Sequence, residues 1–324
     1  GLGIVSCLEI LVAQTQNKTF KNAIADAYEE VQKGLTLSES MKQHAEVFPT
    51  ILISMVEAGE VSGNLDTVML RMAEHFEKEN KLENKVKSAM VYPAVLAIVS
   101  VAVVVFMLVF IMPTFVGMFE GSGTALPGPT QMLINLSNSF QTYWYIYLSI
   151  IIAIVVGISI YKKSEEGTKF FDSMKLRLPV VKNTSTMIIT SRFTRTLSTL
   201  LSSGIPLIQA MEVVAKVVSN SVIEERLLFG IESIRKGVSL SRTVKDVNIF
   251  PPMVDSMIKI GEESGSLDDM LYKTADFYDE EVEASLTKLT SMIEPIMIVV
   301  MGLVIGFIVI SMYLPMFDMM KTVQ

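Results

Sequence analysis

G-E-E-S-G-S-L-D, residues 261–268, opens a stretch that continues through about 20 mostly polar residues into a long apolar run ending L-P-M-F at Phe317. The same stretch occurs earlier, beginning G-E-V-S-G-N-L-D at Gly59 and ending I-M-P-T-F at Phe115. The two align without a gap at a constant offset of 202. Gly59 pairs with Gly261, Glu60 with Glu262, Ser62 and Gly63 with Ser264 and Gly265, and Leu65 and Asp66 with Leu267 and Asp268. Pro93 pairs with Pro295 and Pro113 with Pro315. Identities in register at this density mark a duplicated unit. Each unit reads as a turn and helix feeding a membrane span.

The duplication extends upstream. Gly204 to Gly237 matches Gly1 to Gly34 at an offset of 203, and K-G-V-S-L-S at Lys236–Ser241 matches K-G-L-T-L-S at Lys33–Ser38. Phe250-Pro251 matches Phe48-Pro49 after a one-residue slip. Apolar positions Val5, Leu8, Leu11 and Val12, then Ala23, Ile24, Ala27 and Val31, are helix-spaced. Gly34 is a C-cap candidate, Ser38 a cap for a short helix, and Ile51 to Ala58 an apolar helix stopped by Gly59. A helix over roughly Thr186 to Ser203 precedes the second copy. By analogy one is expected before the first, making these residues part of a longer protein.

Half of the 324 residues are hydrophobic and mean hydropathy is +0.46, which fits a membrane protein with sizeable polar parts. Val91 to Met112 and Tyr143 to Tyr161 carry no charge. At about 1.5 Å per residue such runs cross a hydrocarbon core of about 30 Å. Ile293 to Leu314 is the third span, with Glu294 and Pro295 at its entrance. Lys78, Lys81, Lys85 and Lys87 precede the first span, and Lys162, Lys163, Lys169, Lys175 and Arg177 follow the second. Between them, Pro113 to Thr142 has no Lys or Arg and only Glu120 is charged. This bias places 113–142 outside and the polar domains in the cytoplasm. Two copies entering from one side need a return span, which Tyr143–Tyr161 supplies.

The expectation is therefore an all-α membrane protein. A cytoplasmic helical bundle spans 1–90 (copy 1, truncated at its N-terminus), followed by a transmembrane helix at 91–112. An extracytoplasmic loop covers 113–142 and a second span 143–161. The second cytoplasmic bundle covers 162–292, the third span 293–314 and an extracytoplasmic tail 315–324.

Net charge of −7 argues against nucleic acid as a partner. Cys7 is the only cysteine, and His44 and His75 are the only histidines, which nearly empties the metal and acid–base inventory. No P-loop, H-E-x-x-H or G-x-S-x-G motif occurs. The reading is a non-enzyme with no cofactor and no metal.

The turn motif G-E-x-S-G-x-L-D has a plain structural explanation: glycines end one helix and permit a tight turn, Ser266 caps the next with Asp269 as partner, and the leucines pack inward. The sharper reading makes Gly59, Glu60, Ser62, Gly63, Leu65, Asp66 and Gly261, Glu262, Ser264, Gly265, Leu267, Asp268 a partner-binding or hinge surface. A third would use Glu57, Glu60 and Asp66, or Glu262, Glu263 and Asp268, to hold a hard cation, although the spacing is not an EF-hand loop. Pro93, Pro113, Pro295 and Pro315 mark span boundaries.

These residues resemble the PilC/GspF family, the inner-membrane platform proteins of type IV pilus and type II secretion systems, with ComGB-like relatives in competence pili. The resemblance rests on Gly204-Ile205-Pro206-Leu207 with Gln209-Ala210, on Lys236-Gly237 with Leu240-Ser241, and on Met55–Leu65 and Met257–Leu267. Tyr92-Pro93 and Glu294-Pro295 at the entrances and Pro113 and Pro315 at the exits add to it. In the first copy Gly3 replaces the proline of the G-x-P-L element.

The resemblance implies two related six-helix cytoplasmic bundles with three spans in the bacterial inner membrane, and an oligomer around which filaments assemble. It implies no catalysis. The partners it implies are a hexameric cytoplasmic assembly ATPase, pilins or pseudopilins, other inner-membrane assembly proteins and membrane lipid. A type II secretion F protein is the alternative within the family. A small-molecule transporter or a receptor would need polar groups inside the spans or a ligand pocket, which the sequence does not offer.

Overall fold

The computed structural model describes residues 3–119 and 127–322; Glu120 and the glycine-rich run to Leu126 lie outside the described residues. The elements in order are α1 (Ile4–Gln14), α2 (Lys18–Gln32), α3 (Leu37–Lys42), α4 (Thr50–Ser62) and α5 (Leu65–Phe106). A π-helical turn (Met107–Ile111) leads into α6 (Met112–Phe119) and then α7 (Gly128–Tyr161). The second half holds α8 (Glu165–Arg177), α9 (Pro179–Ser202), α10 (Leu207–Val217), α11 (Ser221–Arg235), α12 (Leu240–Val247), α13 (Pro252–Ser264) and α14 (Leu267–Thr322). The described residues contain no strand, so the protein is all-α.

Local chemistry sets the helix ends. Asn17 caps α2 by accepting from the Phe20 amide. Thr36, not Ser38, caps α3, in a capping box with Glu39. Pro49 opens α4, and Pro251 with Pro252 opens α13, positions where a missing N–H costs nothing. Helix α4 runs past Gly59 and stops at Gly63, whose left-handed φ of 72° an L-residue resists. Gly265 closes α13 the same way, with φ 70°. The one-residue slip between copies falls where α12 ends on left-handed Asn248 and α3 instead ends in a longer turn through His44.

The chain divides into two units, 1–83 with 172–283, and 84–171 with 284–324. In the first unit, Leu8, Ala23, Ile24, Leu37, Met41, Phe48, Ile53 and Val56 pack as the small core of copy 1. A larger core is built on Phe193, Leu197, Leu200, Met211, Leu227, Leu240 and Ile258 of the second half. Ile51 and Met55 of α4 and Val68 and Met72 of α5 belong to this second core, so the two helical bundles share packing. Each such side chain removed from water contributes about 1.5–3 kcal/mol.

In the second unit, Leu108, Met112, Leu133, Ile134, Ile308 and Met312 form a core. Among the described residues, three helices are long and apolar enough to cross a membrane: Leu65–Met118, Gly128–Tyr161 and Leu267–Phe317. Residues 128–142, read from sequence as loop, are helical and continuous with the expected second span. The helix breaks stride at Tyr143 (φ −116°, ψ 21°), with the Phe140 and Tyr147 rings stacked 4.6 Å apart across the kink.

Candidate functional site: the paired turns and a charged cleft

Glu60 and Glu262 perform one task in both copies. The Glu60 carboxylate accepts from the Leu37 amide at 2.6 Å, the Ser38 amide at 3.3 Å and the Ser38 hydroxyl at 2.5 Å. Glu262 accepts from the Leu240 amide at 2.6 Å, the Ser241 amide at 3.2 Å and the Ser241 hydroxyl at 2.7 Å. Free N–H groups and the positive end of the helix dipole sit where a carboxylate arrives from another helix. The sequence presented K-G-x-x-L-S and G-E-x-S-G as separate motifs; the structure makes them the two halves of one joint.

The remaining motif positions serve that joint. A Cβ on Gly261 would stand 2.8 Å from the Leu267 Cα, and one on Gly59 would stand 3.2 Å from the Leu65 Cα, so glycine lets the paired helices close. Ser62 and Ser264 hydroxyls donate to the carbonyls of Gly59 and Ile260. Leu65 and Leu267 pack against the two cores, and Asp66 and Asp268 lie in the first turns of α5 and α14, where negative charge suits the dipole. Ser266 bonds the Ser264 hydroxyl, while Asp269 pairs with Lys273. Glu57 pairs with Lys42 and Glu263 lies near Lys259, so the acids considered for a cation point to separate partners. Among the described residues, no group of three His, Cys, Asp or Glu side chains is placed to hold a metal ion.

Just beyond the turns, α5, α9 and α14 meet in a charged cluster. Arg195 of α9, its side chain 6% exposed, donates to Asp276 at 2.8 Å and Asp279 at 2.6 Å. Lys78 of α5 reaches the same Asp276 oxygen at 3.2 Å. Arg192 pairs with Glu79 at 2.6 Å, Tyr272 donates to Glu74 at 2.9 Å, and the Ser191 hydroxyl donates to Asp279. Burial opposes the charge on Arg195, but the Asp276 hydrogen bond and both carboxylates outweigh it and hold its pKa above the ordinary value. Burial likewise pushes Asp276 up, and Arg195 and Lys78 more than reverse it, holding that carboxyl below its usual range. His75 faces Arg195, the Thr199 hydroxyl and the Phe76 ring; burial, then Arg195, depresses its pKa to about 4. A cleft of about 270 Å³ opens here, lined among others by Arg71, Lys78, Arg195, Asp268 and Tyr272.

Sequence reading missed this cluster. Its signal was Asp276 and Asp279, three residues apart on one helix face, where a single cation such as Arg195 can reach both. The four boundary prolines all sit inside helical structure: Pro93 in α5, Pro113 in α6 after the π-turn, and Pro295 and Pro315 in α14.

A duplicated helical bundle whose turn motif leads directly into helices of membrane-crossing length defines an all-α class of polytopic protein. The chain belongs to the family described as Type II secretion system (T2SS), protein F, which matches residues 1–113 and 193–315. The Type IV pilus assembly protein PilC of Myxococcus xanthus is 39% identical over 324 residues, covering 100% of this chain and 78% of that protein. The protein of the same name from Thermus thermophilus is 37% identical, covering 100% of this chain and 80% of its own length. The Type II secretion system protein F of Vibrio cholerae is 32% identical, covering 98% and 79%.

Proposed function

We propose that this chain is a non-catalytic platform protein of type IV pilus biogenesis in the bacterial cytoplasmic membrane, with both bundles in the cytoplasm. It couples a hexameric assembly ATPase to the insertion of pilin subunits into a filament, as a homo-oligomer among other inner-membrane assembly proteins and membrane lipid. The observation that carries this is continuity. Helix α14 runs unbroken through 56 residues, on the order of 80 Å, from the Gly-Glu turn through its apolar stretch. Helix α5 does the same from the first turn, and the Arg195 cluster binds the starts of both helices to α9. On this reading, movement of the bundles is carried to the spans along these two helices. The turn-motif residues then act as the fixed joint at the base of each helix, and partners act on the bundles that this joint holds.

Relatives named for pilus assembly and relatives named for type II secretion both cover nearly the whole chain, so a pseudopilus platform for protein export is the second reading. Deleting the gene separates them. Loss of surface filaments, restored by the wild-type gene, supports the pilus reading; filaments intact with exported proteins trapped inside supports the secretion reading. No change in either, with no second copy of the gene, overturns both. A Gly-rich insertion near Leu289 tests coupling itself: the protein should fold and insert but assemble nothing. Normal filaments from that variant would refute transmission along α14.

A further inference from the structure

Proline cannot donate a backbone hydrogen bond, so a proline inside a helix leaves a carbonyl without its partner. Inside a membrane-crossing segment such a carbonyl is costly to leave alone. Pro315 leaves the carbonyl of Ser311, four residues back, and that oxygen accepts from the Thr130 hydroxyl of α7. Pro113 follows the π-turn, where spacing widens to five residues, as the Met112 amide to Met107 carbonyl bond shows. Its two candidate acceptors are therefore Leu108 and Val109. The Leu108 carbonyl accepts from the Ser137 hydroxyl at 2.5 Å and the Val109 carbonyl from the Gln141 amide at 3.1 Å. Thr130 and Ser137 are buried, and Leu133 and Ile134 between them sit in the core with Leu108, Met112, Ile308 and Met312.

The duplication sharpens the point. Val109 and Ser311 are equivalent positions at the offset of 202, as are Pro113 and Pro315. The acceptors come in a matched pair, but the donors all come from α7, a helix that lies between the two copies.

We infer that Thr130, Ser137 and Gln141 are positioning residues: they clasp the far ends of the two duplicated spans through the carbonyls their prolines leave free, and make those ends one body. The clasp stands on hydrogen bonds and packing alone. Its consequence for filament assembly, that the far ends of both spans move together, rests on the platform reading above.

The test uses the full chain in lipid nanodiscs with Cys7→Ser and spin labels on Met118→Cys and Met316→Cys, both exposed positions near the two ends. One narrow distance distribution is expected, and Thr130→Val with Ser137→Ala and Gln141→Leu should broaden it at least twofold. An unchanged distribution in that triple variant overturns the clasp. A cycle of single changes covers the case in which the triple variant fails to fold. Thr130→Val should lower the folded-to-unfolded ratio about tenfold, whereas Thr130→Ser, keeping the hydroxyl, should stay near the starting value. With Pro315→Ala, which restores an N–H for Ser311, Thr130→Val should cost less than twofold. Equal losses in both backgrounds would reduce Thr130 to packing and overturn the role. These readouts need no filament, so their failure is distinct from failure of the platform reading.

Discussion

The two copies hold the same joint with different reserves. Helix α3 has its own capping box, Thr36 with Glu39, in addition to Glu60. Helix α12 has Ser239 alone, with Arg242 where an acid would complete the box, so it leans harder on Glu262. Elsewhere a pair of contacts has traded volume. Gly230 of α11 lies so close to Thr243 that a Cβ would stand 2.6 Å from its methyl; the equivalents in copy 1 are Ala27 and Ser40, both buried. One methyl has moved from helix to helix. Duplicated units therefore keep the geometry of a joint while its parts drift.

The largest effect should come from Glu262→Ala. It strips a charged acceptor from two amides and a hydroxyl and should cost about 3 kcal/mol, against about 1–2 kcal/mol for Glu60→Ala, where the capping box remains. Thermal unfolding of the purified protein in detergent reads the difference; equal losses would break the asymmetry.

Acid offers the next test. His75, buried in copy 1, has as its equivalent Phe277, which is 41% exposed. The native pKa of about 4 lies below the unfolded value of about 6.5, so below pH 6.5 the unfolded chain binds the proton that the folded one refuses. The contribution is complete above pH 6.5, reaches a loss of about 2 kcal/mol at pH 5 and is fully lost below pH 4. His75→Gln should flatten the stability profile between pH 6.5 and 4, leaving only carboxylate losses at lower pH. A profile that matched the parent would refute a neutral buried histidine.

Gly230→Ala should cost about 1–2 kcal/mol by overpacking, and adding Thr243→Ser, which rebuilds the pairing of copy 1, should recover most of it. No recovery would show that the backbones, and not the methyl, set the spacing. The smallest effect is a gain. Ser311 Oγ is buried without a partner, whereas its equivalent is Val109. Ser311→Ala should raise the melting temperature slightly, by less than about 1 kcal/mol of stability. A loss would mean that the hydroxyl is used.

Most of the helical order was legible because the sequence states it twice. Apolar spacing located α1 and α2, the second copy pointed to a helix at about Thr186–Ser203 within α9, and long apolar runs picked out the three helices of membrane-crossing length. What stayed hidden were choices that neighbours make. Gly59 looks like a helix stop as much as Gly63 does; only the approach of Leu65 shows that the first is a packing contact and the second the cap. The Glu60 and Glu262 bonds join residues more than 20 positions apart, so no local pattern announces them. Residues 128–142 carry Gly, Pro, Ser, Thr and Asn, a loop-like composition. Three of their polar side chains, Thr130, Ser137 and Gln141, donate to backbone oxygens on other helices, which a propensity reading cannot see. The Arg195 cluster depends on α5 and α9 meeting, and those helices belong to different copies.

The single connecting helix also bears on ancestry. Before duplication, a lone unit would have ended in a proline-bearing span with no Thr130, Ser137 or Gln141 to answer it. Its open carbonyl would have needed water, a lipid headgroup or a second chain. In this chain the stretch between the two units carries the donors. Once the donor was covalently built in, neither half could leave without exposing the other. With the clasp in place, the two copies are tied by two hydrogen bonds at the end of the first span and one at the end of the last.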